Sequence, residues 1–181
     1  SGRVHRRVKV LVTGGVRSGK SRHAEQILHD LEHVTYVAPG PVYDDADWAA
    51  RVAAHRERRP PGWSTEETHD VAAALRATTG PVLIDCLGTW LTAVIDEGEL
   101  WEAPVDVVEE VVHVRLDELV AAVAASGSTV VLVTNEVGLG VVPEHRSARL
   151  FRDLLGTTNQ QVAAVCDDVH LVIAGRVLLL C

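Results

Sequence analysis

Lys9-Val-Leu-Val-Thr-Gly-Gly-Val-Arg-Ser-Gly-Lys-Ser-Arg-His-Ala-Glu25 is an apolar run that passes through glycines into a helical pattern. Within it Gly14, Gly15, Val16, Arg17, Ser18, Gly19, Lys20 and Ser21 satisfy the G-x-x-x-x-G-K-[ST] spacing of a phosphate loop. The glycines let the backbone curl so that its N–H groups converge on phosphate oxygens. The helix that follows adds the positive end of its dipole. Lys20 is expected to reach the β and γ phosphates, and the Ser21 hydroxyl to ligate Mg²⁺. Four fixed positions match by chance on the order of once in two hundred chains of this size. A chance match seldom also follows a strand and opens a helix.

A phosphate loop ordinarily works with a carboxylate at the end of a neighbouring strand, which holds the metal's water shell. Asp85 closes the apolar run Val82-Leu-Ile and is the first candidate; Glu136, beyond a later strand, is the rival. The rest of the chain alternates short apolar runs with longer helical patterns, the signature of a parallel sheet covered by helices. Strands are expected at Lys9–Thr13, Val34–Ala38, Pro81–Asp85, Thr129–Thr134 and Val169–Ala174, with Val177–Leu180 an antiparallel edge strand against the last of these. Helices are expected at Lys20–Leu31, from Asp44 as N-cap to about Arg58, at His69–Ala77, at Val105–Ala125, and from Pro143 to about Val165. The fold class is therefore α/β, a P-loop NTPase-like, mostly parallel sheet in a single domain over residues 1–181.

Of the nine histidines, His5, His29, His33, His69, His113 and His170 carry no accompanying pattern and read as surface or packing residues. His55 differs, because helical spacing puts Trp48, Val52, His55 and Arg59 on one stripe, beside Arg56 and Arg58. A neutral imidazole there could attack phosphorus and form a covalent intermediate. The chemistry alone favours a histidine packed at the edge of an amphipathic helix, and the motif does not decide between the two.

Composition narrows the partners. A formal net charge of −8 on 181 residues argues against a general nucleic-acid binder. No apolar stretch approaches the ~20 residues of a membrane span, and no signal peptide is visible, so a cytoplasmic location is expected. Cys86, Cys166 and Cys181 lack C-x-x-C spacing and read as reduced thiols. Ser1-Gly2, in a chain with no Met, reads as a cloning remnant.

Taken together, the ordered blocks from about Val10 to Gly175 resemble the bifunctional adenosylcobinamide kinase / adenosylcobinamide-phosphate guanylyltransferases of cobalamin biosynthesis. They are Val12 to Glu25, Asp44 to Arg56, Trp63-Ser-Thr-Glu-Glu67, Asp85-Cys-Leu-Gly-Thr-Trp90, Val133 to Glu144 and Arg149 to Gln160. The resemblance implies two reactions: phosphorylation of adenosylcobinamide by ATP or GTP with Mg²⁺, and transfer of GMP from GTP, through a guanylylated histidine, to adenosylcobinamide phosphate. It places the guanylylated histidine on His55. It places nucleotide contacts on Gly14 to Ser21, on Pro39, Gly40 and Pro41, on Arg56, Glu57, Arg58 and Arg59, on Glu67 and on Asp85. It also implies a homo-oligomer, a trimer with sites between subunits. A plain small-molecule P-loop kinase that never guanylylates itself is the alternative. Three positions depart from the family's habit. Pro39-Gly-Pro41 replaces a more polar turn, Arg56-Glu-Arg-Arg59 replaces Lys-x-Gly-Arg, and Asp85 stands where some relatives carry Glu.

Overall fold

A computed structural model describes residues 7–180; the readings made for Ser1-Gly2, His5 and Cys181 lie outside them. Seven strands are described: β1 (Lys9–Gly14), β2 (Thr35–Ala38), β3 (Ser64–Glu67), β4 (Val82–Asp85), β5 (Val130–Asn135), β6 (Asp168–Ile173) and β7 (Arg176–Leu180). The helices are α1 (Lys20–Ile27), α2 (Ala46–Glu57), α3 (Val71–Ala77), α4 (Leu87–Glu97), α5 (Val105–Ala125) and α6 (Arg146–Ala163). The strands form one sheet in the order β3-β2-β4-β5-β1-β6-β7. All pairings are parallel except that of β7, which runs antiparallel to β6 as expected.

The period-two alternation of the central strands divides the core into two layers. Leu11, Ile84 and Leu132 point to one face, where α3, α4, α5 and α6 pack. Val10, Val12, Leu83, Val131 and Val133 point to the other, against Ala24 and Leu28 of α1 and the turn that follows it. Central strands buried on both faces explain the unbroken β-branched runs that announced them. Leu83 is fully buried in the centre of the sheet. Leu83→Ala should therefore cost about 2–5 kcal/mol in denaturant unfolding, the range for emptying a packed site; a loss below about 0.5 kcal/mol would contradict this packing.

Several boundaries differ from the expected ones. Helix α1 stops at Ile27 because the chain tightens into i→i+3 bonds, Leu28 N to Glu25 O and His29 N to Gln26 O, which bring Leu28 under the sheet. Helix α2 is capped by Asp45 rather than Asp44, its carboxylate accepting from Trp48 N at 2.6 Å. Helix α6 begins at Arg146, not Pro143, because the Arg149 side chain takes up the carbonyls of Pro143 and Glu144. Two elements were not anticipated. Strand β3 is polar and mostly exposed, an edge strand without an apolar pattern. In α4, Leu87, Trp90, Leu91, Val94 and Ile95 are all buried, a helical spacing that was present in the sequence.

This frame brings the carboxyl ends of β1, β2, β4 and β5 to one edge of the sheet, where open α/β sheets bind ligands. Helix α2 stands apart: it contributes no buried residue.

Candidate active site

The loop between β1 and α1 is tightly specified. Arg17 (φ 53°) and Gly19 (φ 95°) both adopt left-handed backbone. A Cβ on Gly14 would stand 2.5 Å from the Val172 carbonyl oxygen, a backbone atom that cannot swing aside. Gly14→Ala should thus displace the loop, lowering nucleotide affinity by about tenfold or more in a calorimetric titration, the scale of removing one charge-assisted hydrogen bond. Unchanged affinity would contradict the packing described. The loop is tied to its neighbours by Glu136 N to Gly14 O at 3.2 Å and Gly175 N to Ser18 O at 2.8 Å. Lys20 Nζ donates to Gly15 O at 3.0 Å, which holds the ammonium over the loop. The Ser18 hydroxyl is buried without a partner among the described residues.

Val16 to Ser21 open into a cavity of about 1170 Å³ that His55, Arg58 and Asp85 also line. A smaller cavity of about 180 Å³ adjoins it, reaching Gly40, Pro41, Arg59 and Glu67. Ser21, His55 and Asp85 border both. Trp48, Val52, His55 and Arg59, the stripe read from helical spacing, all face the smaller cavity. Pro39, Arg56, Glu57, Gly14 and Gly15 line neither one. Arg56 instead pairs with Glu67 at 3.4 Å across exposed surface.

His55 meets a cation directly: Arg58 NH2 lies 3.0 Å from its Nδ1. Burial, and then the Arg58 charge, hold its pKa below the ordinary histidine value, against an opposing pull from Asp85. Asp85 at the end of β4 accepts the Tyr36 hydroxyl at 3.2 Å from the neighbouring β2. Burial, with Asp85 beside it, drives the Tyr36 pKa upward, so the phenol stays protonated and can only donate to that carboxylate. Arg59 is buried, its guanidinium carbon 3.6 Å above the Tyr36 ring, and it donates to His55 O and Thr65 Oγ1. The carbonyl end of α2 is thereby tied to β2 and β3.

Glu136, the rival carboxylate, is placed otherwise. Its Oε1 accepts from Thr13 Oγ1 at 2.9 Å and from Asn159 Nδ2 at 3.4 Å, and it lines neither cavity. Among the histidines read as patternless, His69 pairs with Glu97 at 2.9 Å and His170 with His23 at 2.8 Å. The site also recruits residues that sequence reasoning did not mark, chiefly Tyr36, Arg51, Thr89 and Asn135. Arg51 had a signal, three residues on from Trp48 and four before His55. Tyr36 had none, because only the adjacency of β2 and β4 brings its hydroxyl to Asp85.

A glycine loop between strand and helix, with a strand-end carboxylate across the same cavity, defines a P-loop nucleotide-binding enzyme. Comparison with known proteins narrows the class. Residues 10–180 match the family described as cobinamide kinase / cobinamide phosphate guanyltransferase, and the chain belongs to that family. It is 42% identical over 176 residues to the bifunctional adenosylcobalamin biosynthesis protein CobU of Escherichia coli (strain K12), covering 92% of this chain and 96% of that one. The protein of the same description from Salmonella typhimurium is 40% identical with the same coverage. The bifunctional adenosylcobalamin biosynthesis protein CobP of Pseudomonas aeruginosa is 35% identical, covering 91% of this chain and 92% of that one.

Proposed function

We propose that this chain, acting as a single P-loop domain, carries out two transfers in cobalamin biosynthesis. In the first, the aminopropanol hydroxyl of adenosylcobinamide attacks the γ phosphorus of ATP or GTP; the bond to the β-phosphate oxygen breaks and the nucleoside diphosphate leaves. In the second, His55 attacks the α phosphorus of GTP and pyrophosphate leaves. An oxygen of adenosylcobinamide phosphate then takes the GMP from His55, giving adenosylcobinamide-GDP. The observation that carries the reading is that the phosphate loop and His55, supplied by separate elements, border one cavity together with Asp85.

Each residue has a task in this reading. Backbone N–H groups of Gly14 to Ser21 cradle the phosphates, and Lys20 offsets the charge that builds on the leaving oxygen. Ser21 and Asp85 fit a magnesium ion. They border the same two cavities, and Tyr36 is bonded to only one Asp85 oxygen, Oδ2. A cation held largely by phosphates and water needs few protein ligands, and among the described residues no group of three His, Cys, Asp or Glu side chains is placed to hold a metal ion. Bound there, Mg²⁺ would neutralise phosphate charge. Gly40, Pro41, Arg58, Arg59 and Glu67 contact the nucleotide, while Arg56 orients Glu67 and Pro39 and Glu57 frame their neighbours.

Incubation with α-labelled GTP should leave an acid-labile, base-stable label on the protein; absence of label would sink the transferase half. The neutral imidazole is the nucleophile, and the folded site lowers its pKa. Single-turnover labelling should therefore rise with pH to a midpoint below 6.5, the ordinary histidine value, and stay flat to about pH 8. A midpoint at or above that value would contradict the burial and Arg58 contact described for His55.

No helix among the described residues is long and apolar enough to cross a membrane. Cys86 and Cys166 are free thiols, which supports a reducing, cytoplasmic setting. We further propose a homo-oligomer, a trimer. The exposed Leu139, Val141, Leu178 and Leu179 support association as apolar side chains that a neighbouring subunit would cover.

A further inference from the structure

Arg58 NH2 makes two approaches at once. It lies 3.0 Å from His55 Nδ1 and 4.0 Å from Glu25 Oε1. A guanidinium has donors and no acceptor, so Nδ1 must be accepting, and the proton of the neutral ring is on Nε2. The lone pair needed to attack phosphorus is therefore at Nδ1, engaged by Arg58. On the other side, Glu25 Oε1 is buried and has no hydrogen-bond partner among the described residues. At 4.0 Å Arg58 attracts it but does not bond it. A buried carboxylate oxygen left without a donor is costly, and a donor stands about one ångström out of reach.

We propose that Arg58 is a two-position guard on the nucleophile: bonded to Nδ1 it masks His55, and by shifting onto Glu25 it frees Nδ1 for attack. The inference rests on the reading of His55 as the guanylylated residue. In the attack, the Nδ1 lone pair forms the N–P bond, the bond from the α phosphorus to the bridging oxygen breaks, and pyrophosphate departs with that electron pair. The Nε2 proton stays, leaving a cationic ring. When the corrinoid phosphate oxygen takes the GMP, the electron pair returns to Nδ1 and Arg58 can cap it again. The guard suits a site that must hold GTP for either transfer, since it withholds the nucleophile until the pocket rearranges.

The surroundings favour such a shift. Arg58 is half-exposed, at the C-terminal end of a helix without buried residues, so its side chain is not packed into the core. His55 is faced by Arg51, Arg58 and Arg59 from its own segment, by Asp85 from β4, by Lys20 and Ser21 from α1, and by Glu67 from β3. Burial raises the Glu25 pKa and Asp85 adds to this, while Arg58 opposes the rise. An approaching guanidinium therefore has an anion to stabilise.

Two measurements on the whole protein test the guard. The first is the nitrogen that carries GMP, read by two-dimensional NMR of ¹⁵N-histidine protein. Attachment at Nδ1 is expected, and attachment at Nε2 would overturn the proposal. The second is the single-turnover labelling rate of Glu25→Gln with and without Arg58→Ala. Glu25→Gln removes the docking charge, so labelling should slow about tenfold, the scale of one charge-assisted bond, with GTP affinity unchanged. In the Arg58→Ala background the same substitution should cost nothing. Equal slowing in both backgrounds would show that Glu25 acts by another route and would overturn the guard. If wild-type protein takes no label, the transferase reading fails by itself. The ¹⁵N titration without nucleotide still decides the cap: Arg58→Ala should raise the His55 pKa and shift Nδ1, and no change in either would overturn it.

Discussion

Lys20→Ala should abolish both transfers, lowering kcat/KM by at least about 10²–10³-fold, the cost of removing one donor aimed at developing charge. The ammonium is held over the loop by a 3.0 Å bond to Gly15 O, and the loop amides alone cannot supply a mobile full charge at the leaving oxygen. In the proposed mechanism the kinase step uses it at the bond between β and γ phosphates, and the guanylyl step at the departing pyrophosphate. Both should therefore fall together. The fold should not: among the described residues the Lys20 ammonium bonds only within its own loop, so the unfolding free energy should stay within the ±0.5 kcal/mol or so of a surface substitution. Measuring both activities beside a denaturant melt separates these outcomes. Retained turnover of either kind would refute the assignment of the loop.

His55→Ala should divide the two activities. Covalent labelling by GTP should drop to background, because no other side chain replaces a nucleophile that forms the bond itself. Phosphorylation of the corrinoid should persist within about tenfold, since the proposed kinase step forms no bond to the histidine. Stability should hardly change, as α2 sends no residue into the core. Kinase loss as deep as the loss of labelling would instead make His55 a general binding residue. Full labelling of the variant would move the covalent site elsewhere.

The parts of the site that were legible in the sequence are those whose chemistry is local. Gly14 to Ser21 lie within one strand-loop-helix unit, so spacing alone places glycine, lysine and serine around a phosphate. The stripe Trp48, Val52, His55 and Arg59 follows from helical geometry and does face one cavity. Its meaning was not legible, because the phosphate loop that completes it ends 34 residues before His55 in sequence, and only the family resemblance singled out His55. Contacts across strands were out of reach. Tyr36 reads as a core aromatic until β2 is set beside β4. Glu136 and Asp85 are both strand-end carboxylates, and nothing in their neighbours' sequence says that Thr13 and Asn159 claim the first. Among the elements, the missed α4 was readable from the helical spacing of Leu87, Trp90, Leu91, Val94 and Ile95, whereas β3 was not. Ser64–Glu67 takes strand form by pairing with β2, with no apolar face of its own to announce it.

In the proposed mechanism one cavity joins a phosphate loop to a histidine that becomes covalently guanylylated. Mass spectrometry of the intact protein after incubation with GTP and Mg²⁺ tests this most directly. The expected result is a gain of one GMP per chain, removed again on addition of adenosylcobinamide phosphate and absent from His55→Ala. An unchanged mass in the wild-type protein, with GTP bound and hydrolysed, would contradict the mechanism and leave a P-loop kinase without the second transfer.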